Sequence, residues 1–161
     1  MRRLTILLAL VSLIALGSCS GKESPSTGTG VALRRDGSRV TIAPESGKVT
    51  LVHFWATWCG PCVYELPSFV KFAKANEGPR LHWVAVANDP TFEEVDAHLR
   101  SSGIAMDTFL DPQGAVLRKY QIESIPTTIV FDTKGNEVAR YVGMHDWEDP
   151  KQREAVLALA R

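Results

Sequence analysis

Two thiols separated by two residues form the most chemically suggestive pattern in this chain. Cys59 and Cys62 stand with only Gly60-Pro61 between them. Upstream, the apolar run Leu51 to Ala56 reads as a buried strand, and Thr57-Trp58 as a sharp turn. Downstream, Val63, Leu66, Phe69, Val70, Phe72 and Ala73 recur at helical spacing. The pair is therefore expected at the mouth of a helix, just past the carboxyl end of a strand. Unpaired N–H groups and a partial positive charge at a helix start stabilise a thiolate, and the thiolate is the form that attacks a disulfide. Cys59 is expected as the exposed nucleophile. Cys62, one turn in and more buried, can reach back to resolve a mixed disulfide. Pro61 costs little there, because first-turn N–H groups have no intrahelical partner.

Other uses of Cys-x-x-Cys fit less well. Zinc needs further Cys or His ligands at suitable spacing, and none follows. A c-type haem site needs His directly after the second cysteine, where this chain has Val63. A structural disulfide closing so short a loop adds little. Thiol–disulfide redox chemistry is the favoured use.

The segment Phe54-Trp-Ala-Thr-Trp-Cys-Gly-Pro-Cys62 resembles the active-site segment of the thioredoxin superfamily. Its continuation Val63-Tyr-Glu-Leu-Pro67 is similar to the TlpA/ResA-type branch, the membrane-tethered thiol–disulfide oxidoreductases of the bacterial cell envelope. With the features below, the likeness covers nearly all of the chain after residue 31. It implies a thioredoxin-like α/β fold: a central mixed sheet of about five or six strands, helices on both faces, an N-terminal β-hairpin and an inserted αβ unit. It implies no cofactor beyond the redox-active Cys59–Cys62 disulfide.

Several positions gain roles from that likeness. Ile125-Pro126-Thr127 resembles the superfamily's cis-proline element, which faces the cysteine pair; the residue before the proline offers backbone hydrogen bonds to substrate. Trp58, Gly60, Pro61 and Ile125 are thus candidates for substrate binding. Trp58 is expected to cover Cys59 and offer an apolar face to a partner. Glu65 matches the branch's cavity-lining glutamate. An acid near a thiolate disfavours it, and the alternative is an exposed helix carboxylate. His53, six residues before Cys59 in the central strand, stands where thioredoxins carry a buried acid. It is either a proton shuttle for Cys62 or a histidine satisfied by a neighbouring strand, and the residues alone leave both open. Pro67 is expected to kink the helix.

The elements that must position these residues follow from local pattern. Val31 to Ile42 reads as a hairpin turning at Asp36-Gly37, with Arg34 and Arg35 solvated. Leu81 to Ala87 is a near-continuous apolar strand, as parallel strands buried on both faces are. Thr91 caps an amphipathic helix to Arg100, and Met106 to Leu110 is a short strand. Thr127 to Phe131 and Glu137 to Val142 flank a hairpin turn. Asp146 or Asp149 caps a final helix with Pro150 in its first turn. His145 and Trp147 receive no role.

Residues 1–19 read as a lipoprotein-type signal peptide: Arg2-Arg3, the apolar run Leu4 to Leu16, and Leu16-Gly-Ser-Cys19 resembling a lipobox. Cys19 is the expected lipidation site, so the chain's 3 cysteines reduce to one redox pair. Residues 20–30, which lack large apolar side chains, read as a flexible linker, and 31–161 as a single domain. The expected location is the bacterial cell envelope, lipid-anchored and facing the periplasm or cell exterior, where disulfides persist. Expected partners are disulfide-containing protein substrates, an upstream membrane electron donor, and the membrane through Cys19. Formal net charge is +0 and no basic run stands out, so nothing points to nucleic acid.

The expected activity is reduction of disulfides in exported proteins, with cytochrome c maturation as a setting. Gly60-Pro61 is the thioredoxin-type dipeptide, which by resemblance favours the reducing direction. The competing class is a copper metallochaperone using the same cysteines and a histidine, for which His53 is poorly placed. A peroxidase is weaker still, lacking a lone peroxidatic cysteine.

Overall fold

The computed structural model describes residues 29–160. The signal peptide, Cys19 and most of the linker lie outside the described residues. Within them a sheet of 7 strands runs in the order β2-β1-β5-β4-β3-β6-β7, with the N-terminal hairpin at one edge. At its centre lies β3 (Val49–Trp55), every residue of it buried. It pairs in parallel with β4 (Leu81–Ala87) and antiparallel with β6 (Thr127–Phe131). Such a strand has no solvent face, which is why its sequence does not alternate.

On the far side of β4 lies β5, only Phe109–Leu110, shorter than the expected Met106–Leu110 strand. The N-terminal hairpin of β1 (Val31–Leu33) and β2 (Arg39–Thr41) extends the sheet through Leu33 opposite Leu110. Arg35 is not free in solvent: it pairs with Asp96 and with Asp107 and lies over the Phe92 ring, its guanidinium carbon 5.0 Å from the centroid. The hairpin is thereby tied to α2 (Phe92–Ser102). At the other edge β7 (Glu137–Val142) pairs antiparallel with β6.

Side chains alternate about β3. Val49, Leu51 and Trp55 join α1 (Gly60–Asn76), α2 and α4 (Pro150–Leu159) in one core cluster. Val52 and Phe54 join a second cluster with Val116 of α3 (Ala115–Lys119). The helices thus cover both faces. Asp149 caps α4 through the Lys151 N–H at 2.8 Å, and Thr91 caps α2. The sheet's role for function is simple: β3 delivers the chain to the start of α1 with little freedom to move.

Candidate active site

The turn after β3 sets the first cysteine at the N-cap of α1. Cys59 has extended backbone, and the Cys62 N–H points to its sulfur at 3.2 Å. Gly60-Pro61 opens the helix, so proline's missing N–H falls where none is needed. Cys59 and Cys62 are joined in a disulfide with Cα atoms 5.2 Å apart. Cys62 is wholly buried. Cys59 is only 7 % exposed, much less open than a helix-mouth nucleophile suggests.

What covers Cys59 is the loop before β6. The Ile125–Pro126 peptide bond is cis, and the Ile125 carbonyl oxygen lies 3.6 Å from the Cys59 sulfur. Thr127 braces this loop by donating its hydroxyl to Ser124 O at 2.8 Å, and Pro126 O accepts from the Gly143 N–H at 2.9 Å. Residues far apart in sequence, Cys59 and Ile125, thus meet across the end of the sheet.

Trp58 stands over the same edge, 64 % exposed, its indole N–H held by Asn88 O at 2.9 Å. Beside it the buried Asp89 carboxylate takes the Thr57 N–H at 3.1 Å and the Thr57 hydroxyl, fixing the turn that leads into Cys59. A cleft of about 430 Å³ opens here, bordered by Trp58, Cys59, Pro61, Leu117, Ile122 and Ile125. Gly60 is exposed at its rim, whereas a larger hollow of about 740 Å³ beside the start of β4 contains none of these residues.

Glu65 is 2 % exposed, not an outward helix carboxylate. It lies one turn beyond Cys62 and receives two donors from the loop between β7 and α4: the Trp147 indole N–H and the His145 backbone N–H, the latter at 3.3 Å. Burial pushes its carboxyl above the ordinary range, and these two hydrogen bonds pull the other way. Sequence reasoning missed Trp147, which is fully buried and packs edge-on to Phe69 and near-parallel to Phe72. The only local signal was a tryptophan in a polar loop just before the helix.

His53 is fully buried, its Nδ1 2.8 Å from the Thr128 hydroxyl and its ring stacked on Phe69 at 4.0 Å. Nε2 has no hydrogen-bond partner. Burial lowers its pKa to about 3, so the ring is neutral at physiological pH. Phe69 lies seven residues past Cys62, roughly 10 Å further along the helix at 1.5 Å per residue. Pro67 sits inside α1 without ending it. Among the described residues no group of three or more His, Cys, Asp or Glu could hold a metal ion.

A buried dithiol–disulfide pair at a helix start, facing a cis-proline loop, can accept and deliver two electrons by disulfide exchange. Comparison with known proteins agrees. Residues 20–157 match the Redoxin family model. The chain is 29% identical over 158 residues to sporulation thiol-disulfide oxidoreductase A of Bacillus subtilis, covering 94% of this chain and 95% of that one. It is 30% identical over 128 residues to thiol-disulfide oxidoreductase ResA of the same organism, covering 77% and 72%. A solved thiol:disulfide interchange protein of the thioredoxin family from Chlorobium tepidum superposes with a TM-score of 0.65 at 26% identity, over 81% of this chain and 92% of that one. The chain belongs to the Redoxin family, with a thioredoxin-like fold and a ResA-like character, and is a thiol–disulfide oxidoreductase.

Proposed function

We propose that this oxidoreductase works in the reducing direction on disulfides of exported proteins, tethered to the bacterial envelope through Cys19. The observation that carries the exchange chemistry is the Cys59 sulfur at the N-cap of α1, 3.2 Å from the Cys62 N–H and bordering the cleft lined by Trp58, Pro61 and Ile125. The Cys59 thiolate attacks one sulfur of a substrate disulfide. A Cys59–substrate bond forms, the substrate S–S bond breaks, and one substrate thiol leaves. Cys62 then attacks Cys59, the second substrate thiol leaves, and the protein holds the Cys59–Cys62 disulfide. The substrate has gained two electrons and two protons, and a membrane electron donor must return the same to the pair.

The substrate setting proposed is cytochrome c maturation, and the reducing direction rests on Gly60-Pro61 and on Glu65. A buried carboxylate one turn from Cys62 disfavours thiolate and so favours electron donation. Trp58, Pro61 and Ile125 are the proposed contacts with substrate chain, Pro126 shapes the loop, and Gly60 leaves the approach open. For His53 we favour packing over proton shuttling: a ring with so low a pKa is a poor acceptor at neutral pH.

The decisive experiment is insulin reduction by the prereduced protein. Wild type precipitates insulin B chain, and Cys59→Ser does not; equal rates would remove Cys59 as nucleophile. Anchoring is tested by labelling cells with an alkyne fatty acid. Label that survives Cys19→Ser contradicts the tether.

A further inference from the structure

The buried side chains that the reaction scheme leaves unused include one with a direct polar hold on Glu65, one helical turn beyond Cys62. Trp147 comes from a loop 82 residues away from Glu65 in sequence, yet its indole N–H donates to Glu65 Oε1. The second carboxyl oxygen, Oε2, takes the His145 N–H of the same loop at 3.3 Å. Trp147 is itself immobilised: its ring lies 5.2 Å from Phe69, 5.5 Å from Phe72 and 5.5 Å from Tyr141, centroid to centroid. A donor so fixed dictates where the carboxyl can sit. Without it only the longer His145 N–H contact would hold the acid, which could then more readily take up a proton or turn away from Cys62.

We propose that Trp147 is a positioning residue for thiol–disulfide exchange: its indole N–H holds the Glu65 carboxyl on the face of α1 that carries Cys62, and so sets how strongly the reduced pair donates electrons. The inference rests on the reading of Glu65 as a tuner of the cysteines. The sign follows from the geometry. The indole stabilises the carboxylate where its charge opposes thiolate formation. Removing the indole lets Glu65 become neutral or swing off, and either change weakens that opposition. The reduced form is then easier to keep, and the protein becomes a weaker reductant.

The test is a double-mutant cycle on the equilibrium with glutathione at fixed pH, using Glu65→Gln, Trp147→Phe and both together. Phenylalanine keeps a ring against Phe69 and Phe72 and removes only the donor. Trp147→Phe should shift the equilibrium constant by about threefold or more toward the dithiol, within the reach of one hydrogen bond to a charged group. Glu65→Gln should shift it the same way, and in the Glu65→Gln background Trp147→Phe should add less than about twofold. If Glu65→Gln shifts the equilibrium and Trp147→Phe does not, the proposal is overturned while the Glu65 reading stands. An equal Trp147→Phe shift in both backgrounds also overturns it, because the tryptophan would then act by packing. No shift in Glu65→Gln removes the Glu65 reading and this inference with it. Should Trp147→Phe fail to fold, the indole N–H resonance decides: it should move when Glu65→Gln is introduced, and an unmoved resonance refutes the contact.

Discussion

The Cys62 backbone N–H points at the Cys59 sulfur from 3.2 Å. In the reduced protein the same N–H and the start of α1 hold the sulfur much more strongly when it carries charge. Cys62, fully buried one turn in, has no comparable opening to solvent. Cys59 should therefore react with iodoacetamide at neutral pH at least about tenfold faster than Cys62, the pattern of activated helix-start thiols. Peptide mass mapping after brief alkylation reads this, and equal labelling would contradict it.

Trp58 is exposed yet pinned by Asn88 O at 2.9 Å, presenting a fixed apolar wall beside the disulfide. Trp58→Ala should raise KM for insulin by about three- to tenfold, the scale of one lost aromatic contact. The rate with a small disulfide such as oxidised glutathione should change much less. A parallel loss with both substrates would mean that Trp58 supports the turn and not the substrate.

Glu65 gives a pH signature of stability. Its carboxyl is pushed above its ordinary value of 4.5, chiefly by burial, so the folded chain holds that proton more tightly than the unfolded one. The stabilisation is complete below the ordinary value and is lost as pH rises through the folded one. In urea melts of the oxidised protein, wild type should lose stability relative to Glu65→Gln as pH climbs from about 4 toward neutrality. A difference that does not vary with pH would refute the assigned shift.

His53 has the opposite sign. Its pKa falls from 6.5 to about 3 on burial, so the unfolded chain takes up the proton first as the solution is acidified. The stability present above 6.5 is lost progressively between that value and about 3. His53→Phe keeps a ring on Phe69 and should lose less stability on acidification than wild type. At neutral pH it should cost about 1–3 kcal/mol, because the Thr128 hydroxyl loses its buried partner. If it instead slowed resolution of mixed disulfides while leaving stability intact, the shuttle role would regain support.

The parts of this site that lie close together in sequence were legible in it. A continuous apolar strand, two cysteines across Gly60-Pro61 and a helical apolar pattern suffice to place the thiols, because each signal is local. Ile125-Pro126 was legible only through its likeness to a known element, since nothing local brings it to Cys59. Glu65 was ambiguous for a physical reason. An acid between apolar residues is buried only if a donor reaches it, and that donor, Trp147, arrives from a distant loop. Asp89 was missed in the same way: its partner Thr57 is 32 residues back. Arg35 looked solvated because its carboxylates, Asp96 and Asp107, belong to other elements. The hairpin strands and β5, of three and two residues, are too short for periodicity to define.

The measurement that bears most directly on the account is mixed-disulfide trapping with Cys62→Ala. Incubated with insulin, this variant should accumulate a covalent adduct through Cys59, released by dithiothreitol and absent when Cys59 is also replaced. No adduct, or an adduct that persists without Cys59, would contradict disulfide exchange through the helix-start sulfur.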